Sequence, residues 1–146
     1  MRIAAGSDHA GLALKRLLVE RLRAAGHEVD DLGTHDTASC DYPDYAEAVA
    51  RAVAGGGYER GLLVCGTGQG MAMAANRVAG VRAAVCADTF SARATRSHND
   101  ANVLCLGERV VGPGLAGDIV DAFVESAFEG GRHANRVAKI AALQNR

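Results

Sequence analysis

Tryptophan is missing from this chain, and three phenylalanines and three tyrosines bring its aromatic content to only 4%. So few rings argue against a base-stacking platform for nucleic acid. Neither sign of charge dominates: 16 Lys and Arg stand against 17 Asp and Glu, a net of -1, so no global field draws the protein to a polyanion or an anionic membrane. No apolar run approaches the roughly 20 residues of a membrane span. The opening Met1-Arg2-Ile3-Ala4-Ala5-Gly6 turns polar at Ser7-Asp8, too soon for a secretory signal core. Cys40, Cys65, Cys86 and Cys105 include no C-x-x-C pair, and no metal-ligand cluster is visible, so neither a metal nor another cofactor is expected. Three of the four end or interrupt apolar runs. Reduced thiols in a cytoplasmic protein are the expectation.

What is present is apolar and regularly punctuated. With 146 residues, 49% of them hydrophobic, the chain is long enough for one real core and too short for two ordinary domains. Arg2 to Gly6 reads as a first strand. From Leu12 the residues Leu14, Leu17, Leu18 and Leu22 recur at helical spacing, with Gly26 placed to stop the helix. Val29 and Leu32 suggest a second strand, Gly33 to Tyr42 a polar loop, and Pro43 opens a helix that runs to Gly55-Gly56-Gly57. Gly61 to Cys65 reads as the third strand, Val81 to Ala87 as the fourth and Asn102 to Leu106 as the fifth. Helices follow over Met71 to Asn76, Ser91 to Ser97, Ile119 to Phe128 and about Arg132 to Leu143. Strands alternating with helices imply βαβ units. The expected fold is a single-domain α/β three-layer sandwich over residues 1–146, with a Rossmann-like five-stranded parallel sheet and an extra C-terminal helix.

The chemistry concentrates in Cys65-Gly66-Thr67-Gly68-Gln69-Gly70-Met71, where an apolar strand breaks into alternating glycines and then into an Ala-rich helix. Such a loop lets backbone approach a ligand, and free N–H groups at a helix start attract anions or developing negative charge. A lone cysteine is more often core filler. Cys65, at the carboxyl end of a strand where α/β sheets place their sites and beside unpaired amides expected to favour its thiolate, is a candidate base or nucleophile. Asp8 and His9 follow strand one and Glu108-Arg109 follow strand five, which gathers them at the same sheet edge. Asp8 alone also reads as a helix N-cap. His98 and Asn99 fall between the fourth helix and the fifth strand, formally the opposite edge. Arg132 and Arg136, spaced i, i+4 with Lys139 nearby, form either a solvated basic face or a phosphate clamp. His27, His35 and His133 read as surface residues.

The segments Gly6-Ser7-Asp8-His9-Ala10-Gly11, Asp41-Tyr42-Pro43, Cys65 to Met71, Ala75-Asn76, Ser97-His98-Asn99-Asp100-Ala101-Asn102 and Gly131-Arg132-His133 occur in the order and spacing of the type B ribose-5-phosphate isomerases. That family, which the chain resembles over nearly its whole length, also includes allose- and galactose-6-phosphate isomerases. Gln69 replaces an apolar residue common in the family's loop. The resemblance implies interconversion of ribose 5-phosphate and ribulose 5-phosphate, with Cys65 as the proton-transfer base and His98 opening the sugar ring. It implies that Asp8, His9, Tyr42, Gly66, Thr67, Gly68, Gln69, Gly70 and Asn99 hold the sugar, with Asp8 and Thr67 close to the chemistry. Arg109, Arg132 and Arg136 are implied phosphate ligands. It further implies a cytoplasmic homodimer with shared sites, a tetramer being the larger alternative, in which the C-terminal helix packs on a partner subunit and His98 serves the partner's site.

Three other readings stand beside this one. Six-carbon sugar phosphates are alternative substrates. A catalytically idle subunit of a hetero-oligomer fits less well, because Cys65 and His98 are both present. A nucleotide-binding module would use Asp88, about twenty residues beyond the glycine loop, although G-x-G-x-G is not the dinucleotide register.

Overall fold

In the computed structural model, which describes residues 1–144, five parallel strands lie in the order β2-β1-β3-β5-β4. They are β1 (Arg2–Ser7), β2 (Glu28–Asp31), β3 (Arg60–Cys65), β4 (Ala83–Val85) and β5 (Val103–Gly107). Helices fill the crossovers: α1 (Leu12–Ala24), α2 (Tyr42–Ala54), α3 (Gln69–Ala75), α4 (Thr89–Asn99), α5 (Pro113–Glu125) and α6 (Arg132–Leu143). Both faces of the sheet are buried, so alternate residues of each strand serve different cores. Ile3, Leu62, Val64, Leu104 and Leu106 pack with α1, α4 and α5. Ala4, Leu63, Cys65, Val103 and Cys105 face α2 and α3. This is the α/β three-layer arrangement that the alternation of elements implies.

From β1 the chain moves outward to β2, then returns past β1 to β3. The connections leaving β1 and β3 therefore diverge to opposite faces, and a crevice opens at their carboxyl ends, where ligands bind in open α/β sheets.

Several local expectations need correction. β4 is three residues long, not the seven of Val81 to Ala87, because Val81 N–H closes a turn onto the Val78 carbonyl and Arg82 N–H bonds the Asn102 side chain. α5 begins at Pro113 and stops at Glu125 instead of running to Phe128. Ser126 is extended there, and its hydroxyl donates to the Ala122 carbonyl. Leu17, placed in the apolar stripe of α1, is 44% exposed, while Lys15 is wholly buried. The Lys15 ammonium bonds Asp31 at 2.7 Å and the Thr34 carbonyl, tying α1 to the loop after β2. His133 is buried, not a surface residue.

Candidate active site

The crevice holds a cleft of about 420 Å³ lined by Asp8, His9, Ala10, Tyr42, Cys65, Gly66, Thr67, Gly70 and Arg109. Cys65 ends β3 and is 5% exposed. Its Sγ accepts a hydrogen bond from the Gly68 amide at 3.1 Å. Gly68 makes that possible with φ +80°, and a Cβ there would sit 3.0 Å from the Leu106 carbonyl carbon, so the loop turns back tightly over β5. One loop amide thus donates to the sulfur itself.

The neighbouring strand ends supply the rest. Asp8 follows β1, is 6% exposed, and accepts from the Gly11 amide at 3.0 Å, so it caps the short turn His9–Gly11 while lining the cleft. His9 Nδ1 accepts from the Cys40 amide at 3.2 Å, which makes Nε2 the N–H and therefore a donor. Arg109 follows β5. Its amide bonds the Gly66 carbonyl at 3.0 Å, and its guanidinium lies against Gly66. Tyr42, at the start of α2, crosses Gly70 so closely that a Cβ there would meet its ring at 2.5 Å. Thr67 is exposed at the mouth, its hydroxyl accepting from the Gln69 amide at 3.3 Å. Gly68 and Gln69 do not line the cleft: the first lies beneath Cys65, and the second is exposed at the start of α3. Glu108 bonds the Leu14 amide at 3.0 Å and caps α1 instead.

His98, Asn99, Arg132 and Arg136 are not among the residues lining this cleft. Gly61, the first residue of β3 paired with β5, donates to the Asn102 carbonyl, so the segment that follows α4 meets β3 four residues before Cys65, roughly 13 Å away along the strand. Asn99 lines a separate apolar cavity of about 430 Å³ with Val81, Ala101, Ile140 and Leu143. His98 stacks on His133, ring centroids 4.4 Å apart and planes 12° from parallel, with the Glu129 carboxylate 3.9 Å and 3.7 Å from their Nε2 atoms. Desolvation first, then the nearby His98 and Arg132, holds the His133 pKa below the usual imidazole value. Sequence spacing offered one signal for this pair, the i, i+4 relation of Glu129 and His133; nothing in it placed His98 alongside.

Asp88 does not resemble a ribose ligand. Its carboxylate accepts from the Ser91 amide at 2.6 Å and the Ser91 hydroxyl at 2.8 Å, capping α4, and these bonds hold its pKa below the ordinary carboxylate range.

A family model described as Ribose/Galactose Isomerase matches residues 3–140. The chain belongs to the ribose/galactose isomerase family. Ribose-5-phosphate isomerase B of Escherichia coli K12 is 51% identical over 145 residues, covering 99% of this chain and 97% of that one. D-erythrulose-4-phosphate isomerase of Pectobacterium atrosepticum is 44% identical over 141 residues, covering 96% and 93%. The solved structure of Clostridium thermocellum ribose-5-phosphate isomerase B matches this isomerase at a TM-score of 0.98 and 53% identity, covering 99% of this chain and 98% of that one. Among the described residues no helix is long and apolar enough to cross a membrane.

Proposed function

We propose that this isomerase interconverts ribose 5-phosphate and ribulose 5-phosphate through an enediolate, with Cys65 as the base. The observation that carries the reading is the Cys65 sulfur, held by the Gly68 amide at 3.1 Å in a cleft it shares with Asp8, His9 and Arg109. In the open-chain aldose the proton on C2 is acidified by the C1 carbonyl. Cys65 as thiolate removes it, and negative charge moves onto the C1 oxygen. The same sulfur returns the proton to C1 while the C2 hydroxyl passes its own proton to the charged C1 oxygen, leaving the ketose and the regenerated thiolate. A positioned base contributes roughly 10²- to 10⁴-fold. The His9 Nε2–H and the Thr67 hydroxyl are donors for the oxygens that gain charge, and Asp8 accepts from sugar hydroxyls. Preorganised donors of this kind are worth about 3 kcal/mol each in the transition state. Arg109 binds phosphate remote from the reacting carbons, so its binding energy orients them.

The site is completed by a second copy of the chain. His98, as ring opener, and Arg132 and Arg136, as phosphate ligands, come from the partner subunit, on which α6 packs. Three features support this. The cleft side carries Cys65 and Arg109, whereas these residues lie at the far sheet edge. Phe90, Met73 and Leu143 are 74%, 70% and 61% exposed, large apolar side chains left for a second copy to cover. The 420 Å³ cleft is open rather than closed over a substrate.

Turnover of ribose 5-phosphate, allose 6-phosphate and galactose 6-phosphate by the purified chain and by Cys65→Ala tests the reading. The five-carbon sugar should have the highest kcat/KM, and Cys65→Ala should lower its kcat by roughly 10²- to 10⁴-fold with little change in KM. An unaltered kcat would remove Cys65 from the chemistry.

A further inference from the structure

The imidazoles of His98 and His133 and the carboxylate of Glu129 place three ligand atoms within 4.8 Å of one another. The two Nε2 to Oε2 separations, 3.9 and 3.7 Å, are too long for hydrogen bonds. Among the described residues none of the three groups has a side-chain hydrogen bond elsewhere, although the His133 side chain is 10% exposed. Nearly parallel rings present their Nε2 atoms side by side towards one carboxylate. This spacing suits groups around a small guest. A tetrahedral zinc ion with bonds of about 2.0–2.2 Å needs ligand atoms roughly 3.4 Å apart and takes each imidazole lone pair in its ring plane, so the two carboxylate pairs must close by a few tenths of an ångström and the His98 ring, 46% exposed, must turn out of its stack on His133. Two imidazole nitrogens and one carboxylate oxygen are a donor set zinc accepts, with a fourth position open to water.

The backbone holds the three groups without help from the ion. The Glu129 amide donates to the Ser97 carbonyl at 3.1 Å, fixing the approach to α6 against the end of α4. The His133 amide donates to the Gly130 carbonyl at 3.0 Å, setting Glu129 and His133 one turn apart.

We propose that His98, Glu129 and His133 form a zinc site, and that a bound ion withdraws His98 from ring opening and so inhibits the enzyme. The inhibitory part rests on the reading of His98 as the ring opener. It also predicts selectivity. A four-carbon aldose 4-phosphate has its C4 oxygen esterified and cannot close a five-membered ring, so its turnover needs no ring opening.

Calorimetric titration of the full chain with zinc chloride, in a Cys40→Ser background that removes the half-exposed thiol beside His9, tests the site. One ion per chain should bind. Glu129→Gln and His133→Gln should each weaken binding by more than the roughly 10- to 100-fold that loss of a group merely supporting a ligand costs. Absence of stoichiometric binding, or binding indifferent to both substitutions, overturns the site. Two turnover assays then separate the site from the reading beneath it. Zinc should suppress ribose 5-phosphate isomerisation and spare the tetrose phosphate. Zinc whose binding is weakened by His98→Gln as well as by Glu129→Gln and His133→Gln, yet which leaves ribose 5-phosphate turnover unchanged, upholds the site and overturns His98 as ring opener.

Discussion

Three cysteines lie in or beside the sheet, and their surroundings separate them sharply. Cys105 is fully enclosed between β3 and the helices over it, and burial pushes its pKa far above the ordinary thiol value. Burial, reinforced by Asp88, raises Cys86 to about 11. Cys65 alone of the three lines the cleft and has an amide aimed at its sulfur. Alkylation follows the thiolate, and a thiol of pKa near 11 is ionised to about one part in 10⁴ at pH 7. Brief iodoacetamide treatment at neutral pH, read by peptide mass spectrometry, should therefore label Cys65 and the partly exposed Cys40 and spare Cys86 and Cys105. Labelling of Cys86 should rise as pH approaches 11, and ribose 5-phosphate should protect Cys65. Equal labelling of Cys65 and Cys105 at neutral pH would mean that the cleft does not distinguish them. The sequence marks Cys65 because a glycine loop follows it. It could not mark His133, whose burial comes from stacking on a residue 35 positions earlier.

The elements were legible where local chemistry decides them. α6 spans the expected Arg132 to Leu143, since two glycines with φ of +66° and +55° break the chain just before it. α5 was misread at its end because Ala127 and Phe128 continue an apolar pattern, while the chain is drawn off by the long-range bond from Glu129 to Ser97. The buried Lys15 was invisible for the same reason: its partner Asp31 belongs to β2. That pair has a positional consequence. Thr34, whose carbonyl accepts from Lys15, donates its amide to the Ser7 carbonyl at 2.7 Å, one residue before Asp8. Lys15→Ala leaves Asp31, 19% exposed, without its cation, and the loss should be about 3 kcal/mol, the low end for a broken buried pair. Urea denaturation checks this, and Lys15→Met combined with Asp31→Leu should cost less than Lys15→Ala alone. A double substitution that costs more would show that the ion pair does not set the penalty.

At the scale of the whole molecule, alternation of strands and helices implied a parallel sheet but not the order β2-β1-β3-β5-β4. Pairing is set by contacts between strands dozens of residues apart. Yet that order creates the crevice between β1 and β3, while His98, at the end of α4 where the chain enters β5, lies at the other edge. A shared site follows if both are catalytic, and it has a quantitative signature. Consider Cys65→Ala and Arg132→Ala chains, each inactive or impaired alone, mixed in equal amounts and allowed to exchange. Half of the resulting dimers contain one of each chain. In such a hybrid one site carries both defects, while the other takes Cys65 from one subunit and Arg132 of the partner subunit, both intact. Specific activity should recover to roughly a quarter of the wild-type value, as symmetry of a two-fold interface requires. If Cys65 and Arg132 instead serve a site within one chain, every site in the hybrid keeps a defect and mixing restores nothing. Mass spectrometry of the intact mixture, showing that heterodimers have formed, makes failure to recover decisive against the shared site.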